Sequence, residues 1–175
     1  MKSNEQTRAQ RFVSWTLARC AQDPGFAACL RRADNPDTEH YALGALCVFG
    51  VDVENDAERL PFATVGAALC RRKSEQDGGL GLGAALRACC EDAEQGNPRL
   101  RRLLACDGVS ELCRILRPML SLVSAKGADL CHAALLDDLL AFRQDARRRR
   151  VKLRWAREYY RDVTREDAPG GTEEA

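Results

Sequence analysis

Apolar residues recur along this chain at spacings of three and four, and no stretch alternates apolar with polar residues. That pattern constrains the fold more than any other feature, because it specifies amphipathic helices and offers no strand to pair. Ala9, Phe12, Val13, Leu17, Cys20 and Ala21 recur at helical spacing until Asp23-Pro24-Gly25 stops the pattern. Residues 26–33 predict a short helix ending near Asn35-Pro36. Residues 38–49 and 61–73 predict two more, separated by the polar stretch 52–58. Gly78-Gly79 marks a turn, and residues 81–92 predict a helix of small residues suited to close packing. Gln95-Gly96-Asn97-Pro98 is the strongest break. Beyond it, residues 99–105 predict a short helix. Asp107 is placed to cap the next, whose face carries Val109, Leu112, Cys113, Leu116, Leu120 and Val123. Pro118 inside that pattern should kink or split the helix. Asp129 is placed to cap a helix with Cys131, Leu135, Leu139 and Phe142 inward, and residues 145–162 form the last helix. The expected fold is all-α, with about eight or nine helices in two packed bundles, 1–94 and 97–162, and an acidic, disordered tail over 163–175.

A hydrophobic content of 45% over 175 residues is enough for a packed core. The net charge of +1 says nothing about partners, but its distribution does. Residues 97–161 hold 15 basic against seven acidic residues, an excess of eight, while the flanking segments are neutral or acidic. Such concentration predicts a local anion site. The nine cysteines form no C-x-x-C and do not pair with His40 or His132 at zinc-ligand spacing. They read as reduced thiols used as small core hydrophobes, with no metal and no cofactor expected. No stretch approaches the ~20 apolar residues of a membrane span, and residues 1–20 lack a signal-peptide core. The expectation is a soluble, cytoplasmic protein with no membrane partner.

The last helix is the most informative segment. At about 100° per residue, Val151, Trp155 and Tyr159 share one face. Arg147, Arg150, Arg154, Arg157 and Arg161 then fall within an arc of about 80° beside it, forming a basic rail about 21 Å long. Guanidinium groups match phosphate oxygens in pairs, so nucleic-acid backbone is the natural partner. The competing interpretation is a solvated face neutralised by ion pairs. Only Asp145 and Glu158 are acidic within this helix, which leaves neutralisation poor. On this view Trp155→Ala destabilises the protein, whereas Arg154→Ala, as a surface charge, matters by less than about 0.5 kcal/mol. Other basic clusters are Arg31-Arg32, Arg71-Arg72-Lys73, Arg99 with Arg101 and Arg102, and Arg114 with Arg117.

Enzymatic chemistry is weakly signalled. Asp137 and Asp138 are adjacent, but helical geometry turns Asp138 toward the inward stripe and Asp137 away, so they cannot share a metal on one face. Asp138 is better suited to pairing with an arginine of the last helix. The glycines at 78–81 lack the Gly-Lys-Ser/Thr of a phosphate loop.

Leu135-Leu136-Asp137-Asp138-Leu139-Leu140, followed by Arg154-Trp155-Ala156-Arg157-Glu158-Tyr159-Tyr160, resembles the C-terminal signature of the CasB family, the small subunit of type I-E CRISPR Cascade complexes. Arg11-Phe12-Val13-Ser14-Trp15, Leu30-Arg31-Arg32 with Pro36, Arg72-Lys73-Ser74-Glu75-Gln76 with Leu82-Gly83, Arg99 with Leu103-Leu104 and Asp107, and Leu116-Arg117 resemble its earlier segments in order. Leu100 stands where the family usually has an aromatic and Phe142 where it often has tryptophan. The resemblance implies a two-bundle helical subunit without catalytic activity. Its partners would be the backbone and large Cascade subunits, a second copy of itself, crRNA and target DNA. It would stabilise the crRNA–target heteroduplex and the displaced strand without reading sequence. The carried-over contact residues are Arg32, Lys73, Arg99 and Arg117. Neighbours in the same clusters add Arg31, Arg72, Arg101 and Arg102, and the rail adds Arg147, Arg150, Arg154 and Arg157. Two rivals remain open at this point: a helical protein-interaction scaffold that touches no nucleic acid, and a nuclease using Asp137 or Asp138.

Overall fold

The computed structural model describes residues 6–72 and 75–161, and the expected acidic tail lies outside them. Among the described residues there are nine α-helices, a 3-10 turn at Glu39–Tyr41, and no strand beyond a single parallel bridge between Leu80 and Leu130. The expected all-α class therefore stands. The helices are α1 (Arg8–Gln22), α2 (Pro24–Leu30), α3 (Leu43–Phe49), α4 (Asp56–Arg71), α5 (Leu82–Ala88), α6 (Ala93–Ala105), α7 (Val109–Ala125), α8 (His132–Ala141) and α9 (Asp145–Tyr160).

Local chemistry explains most of the boundaries. Thr7 and Gln10 form a reciprocal capping box at the start of α1. Asp23, which closes α1, also accepts the Phe26 N–H and opens α2, with Pro24 in the first turn. Gly50 ends α3 at φ +87°, a left-handed conformation that favours glycine. The polar stretch after Asp52 is not all loop. Asn55 caps α4, and Asp56 and Glu58 occupy its first turn, where carboxylates favour the helix dipole.

α4 is the central post. Residues 61–69 are buried without interruption, because α1 and α2 cover one side and α7 and α8 the others. Phe62 packs edge-on to Phe12, which meets Phe49 in the same way. Between the end of α8 and α9, Phe142 stacks on Trp155, with ring centroids 6.0 Å apart.

Several expectations fail where tertiary contacts override local signals. The break expected at Gln95–Pro98 is the opening of α6: Asp92 accepts the Gln95 N–H, and Asn97 accepts the Tyr160 hydroxyl at 2.7 Å. Across this segment α4 packs on α7 and α8, and α5 on α9, contacts that two packed bundles also allow. Pro118 does not split α7. It is exposed, so the Arg114 carbonyl it leaves without an intrahelical donor lies on the solvent side. Asp107 does not cap α7, since its carboxylate takes the Lys152 ammonium at 3.1 Å instead. Asp129 does not cap α8 either. That end is capped from elsewhere in the chain by Asp77, which accepts the His132 and Ala133 N–H groups at 2.8 and 3.0 Å.

The small-residue helix is shorter than expected but packs as closely as its composition suggests. A Cβ on Gly83 would collide with the Trp155 carbonyl, and one on Gly96 with the Tyr159 hydroxyl. Gly83→Ala must therefore push α5 away from α9. It should cost about 1–3 kcal/mol as an overpacked contact, seen as a drop of several degrees in the thermal midpoint.

Candidate nucleic-acid interface

The sequence-derived basic residues separate into three structural groups. The first surrounds Asp34, a carboxylate buried in the linker after α2. Arg71, in the last turn of α4, grips both its oxygens at 2.7 Å, and the Arg117 Nε on α7 lies 3.8 Å away. Arg71 also donates to the Arg31 carbonyl at 3.1 Å. Asp34 thus draws Arg71 and Arg117 together from two helices. Arg31 is exposed, and Arg32 is exposed with its guanidinium 5.0 Å above the Tyr41 ring. Arg117 is partly buried and committed to Asp34.

The second group is the polar junction at the start of α8. Arg72 reaches the Leu130 carbonyl and Asp129, both at 3.4 Å, and Asp77 at 3.7 Å. Burial pushes the Asp77 carboxyl up, but hydrogen bonds from the His132 side chain and from the Ala133 and His132 backbone outweigh it and hold the group at about 2. Arg72 therefore ties the end of α4 to α8. Lys73, the neighbouring candidate, lies outside the described residues.

The third group is on α6 and α9, which run side by side and antiparallel. Tyr159 and Tyr160 hold the end of α9 to Ala93 and Asn97, while Arg148 and Lys152 hold its start to Asp107. The Lys152 ammonium, followed by the charge of Arg148, keeps the Asp107 carboxyl below its ordinary range. Val151, Trp155 and Tyr159 are buried, the face expected from periodicity. Arg147, Arg150 and Arg157 are exposed and make no ion pair among the described residues. Arg99, Arg101 and Arg102 on α6 are in the same condition.

Arg154 differs from the rest of the rail. It pairs with Asp138, whose other oxygen accepts the Trp155 Nε1–H at 2.8 Å. Asp138 is indeed the partner of a last-helix arginine. The indole bond was not legible, because it depends on how α8 and α9 face each other. Asp137 points to solvent and takes the Thr7 hydroxyl at 3.3 Å, so the two carboxylates diverge. Burial nonetheless pushes the Asp137 carboxyl up. Arg149 lies outside the expected stripe, yet it is exposed and unpaired among the described residues. With Val151, Trp155 and Tyr159 inward, Arg149 falls about 120° from Trp155 and widens the basic face outward.

Residues 26–160 match the family described as CRISPR-associated protein Cse2. The chain belongs to the Cse2 family. Solved structures bearing the Cse2 or CasB name share its fold. A Cse2 family protein from Thermus thermophilus is 26% identical, with a TM-score of 0.70 over 89% of this chain and 99% of that one. CasB from M. ruber is also 26% identical, with a TM-score of 0.67 over 94% and 98%. CasB from Thermobifida fusca, at 20% identity and a TM-score of 0.64, shares the fold over 89% and 99%. No curated protein matches the sequence. The Cse2 match spans both α6 and α9, so the exposed arginines lie inside the family region and are not additions at its edge. Among the described residues no helix is long and apolar enough to cross a membrane.

Proposed function

We propose that this Cse2 family chain is a non-catalytic subunit of a type I-E CRISPR Cascade complex. It grips nucleic-acid backbone with α6 and α9 and so stabilises the crRNA–target heteroduplex and the displaced strand. The observation that carries this reading is the set of exposed guanidinium groups without an ion pair at Arg99, Arg101, Arg102, Arg147, Arg150 and Arg157 on these two adjoining helices. They sit on helices whose buried faces are already satisfied, so their charge has no structural task. Arg31 and Arg32 are accessible secondary contacts. Arg72, Arg117 and Arg154 contribute chiefly by holding helices in place, and Lys73 remains a candidate from sequence. Guide pairing supplies specificity, and the protein holds backbone without reading bases. The backbone and large Cascade subunits and a second copy of the chain complete its partners.

The test is a salt titration of target binding by the assembled complex carrying Arg150→Ala and Arg157→Ala together. Each phosphate contact contributes about 0.9 to the log–log salt slope on duplex or about 0.7 on a single strand. The double variant should flatten the slope by roughly one to two units and weaken binding equally on all target sequences. Normal assembly with unchanged affinity and slope would instead assign these arginines to acidic protein surfaces.

A further inference from the structure

We propose that Cys20 and Cys70 form a thiol pair that a peroxide converts to a disulfide, locking the end of α1 to the end of α4. The two sulfurs lie 3.0 Å apart, one in the last turn of each helix and 50 residues apart in the chain. Both residues are partly buried, so the pair is shielded without being sealed. Cys106 and Cys113, by contrast, are buried in the core. This inference is independent of the nucleic-acid reading, since neither cysteine belongs to the basic face.

The chemistry balances with a hydroperoxide as oxidant. The Cys20 thiolate attacks the peroxide, the O–O bond breaks, and Cys20 becomes a sulfenic acid while an alcohol, or water from hydrogen peroxide, departs. The Cys70 sulfur then attacks the Cys20 sulfur. The S–O bond breaks, and hydroxide leaves as water with the Cys70 proton. Two electrons have passed from the sulfurs to the peroxide. Burial, followed by the neighbouring Cys20, pushes the Cys70 thiol far up. Held as a thiol, Cys70 is the resolving sulfur and supplies the proton that leaves with the hydroxide. Cys70 immediately precedes Arg71 and Arg72, which hold Asp34 and the start of α8. The cross-link therefore braces the turn of α4 on which both polar junctions depend.

The experiment treats the full chain with a small excess of hydrogen peroxide, alkylates the remaining thiols under denaturing conditions, and maps the peptides without reduction. A peptide linking Cys20 to Cys70, two hydrogens lighter than its reduced parts, is the expected product. Closing a loop of this length should raise the thermal midpoint by about 5–15 °C, reversibly with dithiothreitol. Cys20→Ser should show neither the linked peptide nor the rise. Because the mapping is done on the unmodified chain, it decides the matter even if that variant folds poorly. Recovery of both residues as alkylated thiols, pairing of either with a different cysteine, or over-oxidation of Cys20 with Cys70 left free would overturn the proposal.

Discussion

Trp155→Ala should lower the unfolding free energy by about 3–5 kcal/mol, the range for removing a large aromatic from a core. The ring is fully buried, stacks on Phe142, and donates its N–H to Asp138. Its backbone carbonyl faces Gly83, so the same residue sets the approach of α5. A urea denaturation midpoint within error of wild type would show that α9 is docked by another face. Trp155→Phe separates the two contributions: it keeps an aromatic against Phe142 but leaves one Asp138 oxygen without its donor, and should cost about 1–3 kcal/mol. Arg154→Ala revises the sequence expectation in the same experiment. Asp138 is buried beneath it, so removing the guanidinium leaves a carboxylate held by the indole alone. Arg154 is itself 43% exposed, and solvent screening reduces its share. The expected cost is about 1–2 kcal/mol, above the near-zero effect of an ordinary surface arginine.

Asp77→Ala should be nearly as damaging, at about 2–4 kcal/mol, because it removes a cap together with a charged hydrogen-bond partner. One carboxylate accepts two backbone N–H groups of α8 and the His132 ring at 2.9 Å, and lies 3.7 Å from Arg72. The folded chain holds this carboxyl at about 2, below its ordinary 3.8. Its stabilisation is therefore fully present above the ordinary value and is lost as pH falls through about 2. Asp77→Asn cannot lose a charge there. Its stability should fall less than that of wild type between about pH 5 and 2, with the two curves converging at the acid end. Parallel curves across that window would mean that Asp77 is no better held in the folded chain than in the unfolded one.

How much of this was legible depends on where the deciding contact lies. The buried stripe Val151–Trp155–Tyr159 follows from periodicity, since a helix docked by one face must bury the residues that share it. The pairing of Asp138 with an arginine of α9 follows because a carboxylate beside an apolar stripe needs a cation. The caps are different. Asp107 and Asp129 each stand just ahead of a helix and look like its cap from local spacing alone. Asp77, 55 residues before His132, does the work for α8 because the chain crosses there.

The candidate interface divides in the same way. Its location in the basic segment 97–161, and its composition of arginines, belong to the sequence, because net charge density survives any packing of the helices. Which arginines are available does not. Arg117 is drawn to Asp34, Arg72 to Asp129 as well as to the nearby Asp77, and Arg154 to Asp138, in each case by an acidic residue outside its own helix. Arg149, outside the expected stripe, is left open instead. The all-helical class and the inward faces were set by periodicity, a short-range property that a single helix expresses unaided. The continuity of α6 through Pro98, the clash-limited approach of α5 to α9, and the division of arginines into braces and free charges were decided only by the tertiary structure. Each depends on a partner that sequence distance hides and folding brings to within a few ångströms.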